Sequence, residues 1–219
     1  RAKIALALIV GLCLSAGFQT NSRLRLVGMR ALDSGDIETA DASFTRAVER
    51  QPADWKSLYY LGLVRLEQGR PIDAQVNLEQ AYGIRDEHEE TADILDALAE
   101  ALYQQDAGAR LHAMLRDASQ RYGRTRDYLR EARYLAKIGD VDGSDLAYRK
   151  AARFAQPDDV QPYVSMADFY ESIGDQARAV DALQRAHYLR PDDRTIADRL
   201  RRHGVVPGPT VAVPPAHQE

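Results

Sequence analysis

Small residues recur at a spacing of 34 along most of this chain, and that recurrence constrains its fold more than any other feature. Gly28 and Gly62, Gly35 and Gly69, Ala40 and Ala74, and Ala47 and Ala81 are each 34 apart, and Phe44 is matched by Leu78 at the same offset. The C-terminal part repeats the theme with Ala167, Tyr170, Gly174, Ala179, Leu183, Ala186 and Pro191. Aligning Gly35, Gly69, Gly139 and Gly174 sets one frame, which predicts units at 21–54, 55–88, 92–125, 125–158 and 160–193. A unit of this length holds two helices and a turn. Small residues where the helices cross let the backbones approach, and large residues fill the space beside them. Gly followed by Asp or Arg supplies the left-handed turn that ends the first helix, and a Pro near the unit's end stops the second. One such unit cannot bury its apolar face alone, so the units must stack.

The pattern resembles the tetratricopeptide repeat. Repeat one shows Leu24, Val27-Gly28, Ala31, Ala40, Phe44, Ala47 and Pro52; repeat five shows Tyr163, Met166-Ala167, Tyr170, Ala179, Leu183, Ala186 and Pro191. Repeat two puts Asp86 where the Pro stands, and repeat four displaces its Pro to Pro157. Repeat three departs furthest, with Asp106 for the turn glycine and Leu111 for the small residue. The resemblance implies an all-α, right-handed superhelical solenoid of about five helix-turn-helix repeats. Residues 194–204 then read as a capping helix with Ile196 and Leu200 inward, and 205–219 as a Pro-rich extended or disordered tail.

Residues 1–20 differ in kind. Arg1 and Lys3 precede an uncharged, mostly apolar run from Ile4 to Phe18, the layout of a secretory signal or signal anchor. The run is 15 residues, short of the roughly 20 of a comfortable transmembrane helix, although its neutral flanks lengthen it. The leading expectation is an apolar helix retained as a membrane anchor through residues 4–18. Cleavage after Gly17 and lipidation of Cys13 are the alternatives. The basic start favours a single-pass inner-membrane protein of bacterial type with its repeats on the extracytoplasmic side. Cleavage would leave it soluble in the periplasm.

Little in the sequence suggests catalysis. The net charge of −4 argues against non-specific nucleic-acid binding, and the lone Cys13 excludes an intrachain disulfide. His88-Glu89-Glu90-Thr91-Ala92 starts like a zinc-protease motif but has Ala92 where the second ligand must stand. Asp140-Val141-Asp142-Gly143-Ser144 faintly suggests a calcium loop, with its glycine misplaced and no glutamate at the twelfth position. No phosphate-binding glycine loop or nucleophile elbow is present. The expectation is a non-enzyme with no cofactor, metal or small-molecule substrate.

Function then falls to the groove that the resemblance implies, lined by first-helix residues. Carried over, it offers Arg25 and Met29 from repeat one; Lys56, Tyr59, Tyr60 and Leu63 from repeat two; and Asp96 and Glu100 from repeat three. Repeat four gives Arg126, Arg130, Arg133 and Lys137, and repeat five Asp168 and Glu171. This banding of apolar, acidic, basic and acidic residues suits an extended peptide or partner helix of complementary charge order. The competing reading is of solvated helix faces whose adjacent bands satisfy each other. The expected role is a protein-interaction scaffold or assembly subunit of a membrane-associated complex. The alternatives are a pilotin-like lipoprotein chaperone and a docking regulator of a catalytic partner.

Overall fold

The Gly-Asp pairs set the local rhythm. At Gly35 the backbone is left-handed (φ 75°), and the Asp36 and Gly35 N–H groups reach back to the Ala31 and Leu32 carbonyls at 2.8 and 3.0 Å. These bonds satisfy the last carbonyls of one helix. The Asp36 carboxylate then accepts the Thr39 N–H at 3.0 Å and caps the next helix. Asp140 caps through Gly143 N–H at 2.9 Å and Asp175 through Arg178 N–H at 3.0 Å. The Asp140–Ser144 stretch is therefore a helix start, its first carboxylate committed to a backbone amide. Asp106 takes the same left-handed conformation (φ 54°) without being glycine, and the Ala107 N–H bonds the Leu102 carbonyl at 3.0 Å.

The computed structural model describes residues 21–85 and 90–215. The apolar segment 1–20 with Cys13, the stretch at His88, and residues 216–219 lie outside the described residues. All regular structure among the described residues is helical: α1 (21–33), α2 (Ile37–Arg50), α3 (Trp55–Glu67), α4 (Pro71–Ile84), α5 (Thr91–Gln104), α6 (Gly108–Tyr122), α7 (Thr125–Lys137), α8 (Val141–Phe154), α9 (Gln161–Ser172), α10 (Gln176–Leu189) and α11 (Arg194–Arg202). They form two compact units that divide between Ala107 and Gly108, one holding α1–α5 and the other α6–α11. The division falls inside the predicted third repeat, between α5 and α6. Among the described residues no helix is long and apolar enough to cross a membrane.

In the first unit each helix from α2 to α5 packs on the next, and α3 also meets α5. The small residues do what their recurrence predicts. A Cβ on Gly28 would stand 2.7 Å from the Phe44 ring, and one on Gly62 would stand 2.6 Å from Leu78 Cγ. Phe44, Leu58, Val64 and Leu78 are fully buried around these contacts.

The second unit repeats the arrangement. Each helix from α6 to α11 packs on the next, and α7 also meets α9. Its core is built from Tyr148, Tyr163, Phe169, Tyr170 and Leu183, with Ala132, Ala167, Ala179 and Ala186 at the close approaches. Ile196 and Leu200 of α11 complete that core. The chain then lies back along α10. Val213 N–H meets the Gln184 carbonyl at 3.4 Å, Arg185 Nη1 donates to the Pro214 carbonyl at 2.7 Å, and Pro215 is buried. The Pro-rich tail turns at 208–211, where the Val211 N–H bonds the Gly208 carbonyl at 3.2 Å, and is attached at Val213 and Pro214, where the sequence alone left an extended or disordered end.

Candidate partner-binding faces

In the first unit, the residues singled out on the first helices divide into those that hold the unit together and those with surface left over. Arg25 of α1 belongs to the first group. Its guanidinium pairs with Asp54, a buried carboxylate that also accepts Asn21 Nδ2 at 2.8 Å and Ser57 Oγ at 2.7 Å. This cluster joins α1 to the start of α3. Tyr60 stacks on Phe44 of α2, with ring centroids 5.3 Å apart and planes 10° from parallel, so it too is partly structural. Tyr59 follows at 5.2 Å from Tyr60 with its ring tilted by 59°. Tyr59 and Leu63 are half-buried, Lys56 is exposed with Nζ 5.3 Å from the Trp55 ring, and Met29 keeps 37% of its surface. On α5, Asp96 and Glu100 are half-buried, and Glu100 accepts Gln104 Nε2 at 3.2 Å.

In the second unit, Arg126 and Arg133 are exposed along α7 and Lys137 is exposed at its end, and Arg133 and Lys137 lie over the Tyr134 ring at 5.3 and 4.6 Å. Arg130 differs from its neighbours. It is 1% exposed, and its Nη1 donates to Asp127 Oδ1 at 2.8 Å. Asp127, fully buried, also accepts Arg124 Nε at 2.7 Å and Nη2 at 3.2 Å. Burial is the largest influence on the Asp127 carboxyl and opposes its charge, but the hydrogen bonds and charges of Arg124 and Arg130 outweigh it and hold the carboxyl below its ordinary range. Arg130 thus belongs to a buried ion cluster. A charged residue at helix-surface spacing reads as solvated from sequence, and only the Asp three places earlier hints otherwise.

Asp168 and Glu171 of α9, the acidic pair of the predicted fifth repeat, are taken by the last helix. Arg199 Nη2 of α11 lies 2.8 Å from Asp168 and 3.0 Å from Glu171, and His203 Nε2 lies 2.9 Å from Glu171. Sequence reasoning also missed Asp145. This buried carboxylate accepts the Tyr170 hydroxyl and pairs with Arg149 at 2.6 Å and Arg178 at 3.4 Å. Burial first, and then the Asp145 contact, push the Tyr170 hydroxyl well above its usual range. It is a fixed donor rather than an acid–base group. The described residues hold no cluster of three or more His, Cys, Asp or Glu able to bind a metal ion.

Two sequence models described as tetratricopeptide repeat match the chain, over residues 28–74 and 160–193. No curated protein is significantly similar to it in sequence. Solved structures are similar in fold. A thermophilic tetratricopeptide-repeat protein of Thermus thermophilus is 21% identical, with 84% of this chain and 98% of that one covered at a TM-score of 0.57. The Pseudomonas aeruginosa protein pilF is 17% identical, with 85% and 93% covered at 0.59. YrrB, described as having an unusual peptide-binding site, is 17% identical, with 80% and 88% covered at 0.51.

Proposed function

The chain is a tetratricopeptide-repeat protein, and on that premise we propose that it is a non-catalytic scaffold whose first-helix faces bind a protein partner of a membrane-associated complex. The observation that carries this reading is the surplus apolar surface on α1 and α3. Met29, Tyr59 and Leu63 keep part of their surface while Phe44, Leu58 and Leu78 are sealed in the core. Aromatic residues anchored on one side and open on the other are the usual anchors of protein interfaces, since they give contact area at little entropic cost. The YrrB description gives a precedent for peptide binding on this fold. On α7 the exposed Arg126, Arg133 and Lys137 would set charge order and approach, with Arg130 excluded because it is buried. Residues 4–18 would hold the protein at the inner membrane of a bacterial cell, with its repeats outside the cytoplasm.

The test is affinity capture from detergent-solubilised membranes, comparing wild type with Tyr59→Ala/Lys137→Glu. Both substitutions spare the buried cluster. A stoichiometric membrane-protein partner that the double variant loses supports the reading. A partner retained in full by the variant places the contact elsewhere. Intact-mass analysis of the bait decides the anchor: loss of residues 1–17 overturns it.

A further inference from the structure

Helix α1 leaves a stripe of its surface uncovered. Arg23, Leu26, Val27 and Arg30 stand three and four residues apart, so they share one face of the helix. Leu26 and Val27 keep 47% and 41% of their surface, and both arginines are exposed. The places 34 residues on, in α3, are Ser57, Tyr60, Leu61 and Val64. There the stripe is closed over: Ser57, Leu61 and Val64 are buried, Tyr60 stacks on Phe44 of α2, and α2 packs on α3. A helix seated on α1 in the same way would bury both guanidiniums, at a large cost unless carboxylates met them. Residues 1–20 contain no Asp or Glu, so the apolar run at 4–18 offers no counter-charge for such a seat. Neither Arg23 nor Arg30 forms an ion pair among the described residues, whereas Arg25 is taken by Asp54.

We propose that this stripe rests on the surface of an anionic lipid bilayer, which builds on the anchoring of residues 4–18 proposed above. The apolar run ends at Phe18, and only Gln19 to Ser22 separate it from Arg23. Five residue steps reach at most about 18 Å, so a chain leaving the bilayer at Phe18 keeps the start of α1 beside its surface. Laid flat, α1 brings Arg30 to the same depth as Arg23. Leu26 and Val27 would enter the boundary between headgroups and acyl chains, and the guanidiniums on either side would meet lipid phosphates. Two exposed apolar side chains alone are ordinary on any surface. The unpaired cations beside them select an anionic occupant, and the tether holds a bilayer at high effective concentration. Asp33, the sole acid of α1, stands at the end farthest from the anchor.

The test uses the full chain with Cys13→Ala, reconstituted in vesicles of phosphatidylcholine with or without phosphatidylglycerol. An environment-sensitive fluorophore is attached at Leu26→Cys, or at Ile72→Cys on α4 as the solvent reference, and a lipid-borne quencher reports contact with the bilayer. Flotation of the vesicles reads the anchor separately. The expected result is a label at 26 that is shielded and quenched in the anionic vesicles, with the label at 72 in water. Arg23→Gln and Arg30→Gln should each weaken that shielded state about fivefold, and added salt should weaken it further. Both arginines are exposed, so the circular dichroism and melting curve of these variants should match wild type. A chain that floats with its label at 26 in water overturns the proposal and leaves the anchor standing. A chain that does not float removes the anchor, and the proposal with it. Shielding that is indifferent to both arginine variants also overturns it. Shielding that is lost on dilution to one chain per vesicle assigns the stripe to a second copy instead, and shielding found only in native membranes assigns it to a protein partner; either result overturns the proposal.

Discussion

At the scale of single residues, steric fit decides most of what the repeat requires. Gly28 lies where any Cβ would strike the Phe44 ring at 2.7 Å. Gly28→Ala is therefore expected to lower stability by about 1–3 kcal/mol, the usual cost of overpacking. The urea midpoint measures it, with an unchanged slope showing that the folded state is otherwise kept. Asp106 presents the opposite case, a residue with a Cβ held left-handed at φ 54°. Asp106→Gly should raise stability by roughly 0.5–1 kcal/mol, since relief of the left-handed penalty exceeds glycine's extra unfolded entropy. The same melts check it. These positions were legible in the sequence because they are local and periodic: a turn glycine, or its substitute, announces itself by its place in the frame. Arg130 was not legible in this way. Its burial depends on a cluster closed by Arg124 and Asp127, and charge alone reads as exposure.

At the scale of elements, ionic clusters pin helices that apolar packing brings together. Asp127 and Arg130 are both buried, so Asp127→Asn leaves the guanidinium without its counter-charge. It should cost about 3 kcal/mol, as for other broken buried pairs. The pH dependence has a definite sign. The folded carboxyl ionises below its ordinary value of 3.8, so as pH falls the unfolded state takes up the proton first. The stability Asp127 confers is full above that value and disappears as pH drops through the folded pKa. Urea midpoints of wild type and Asp127→Asn should therefore stand apart at neutral pH and converge in acid. Helix α11 is pinned in a similar way, by Arg199 on Asp168 and Glu171. Its amphipathic pattern marked it as a cap, but its ionic partners lie 28 or more residues away in sequence and no local pattern reveals them. Truncation before Arg194 would expose the core around Leu183, and a lowered melting temperature with aggregation on heating is expected.

At the scale of the molecule, function follows from surface that folding leaves unused. The described residues are built from helix pairs whose large and small residues interlock, and their outward faces are the surface left for a partner. Which face a partner uses was only partly readable. The aromatic surplus on α3 follows from composition at fixed places in the frame, whereas the open stripe of α1 stands out only once its frame equivalents on α3 are found closed over. The attached tail was equally hidden, because backbone hydrogen bonds hold part of it and these leave no residue signature. The most direct test of the central claim is photo-crosslinking in intact cells, with a photoreactive phenylalanine placed at Tyr59 of α3 or at Ile72, a 67% exposed residue of the second helix α4. A discrete protein adduct from position 59 and none from position 72 is the predicted result; an adduct from 72 and none from 59 would contradict the assignment of the binding face to the first helices.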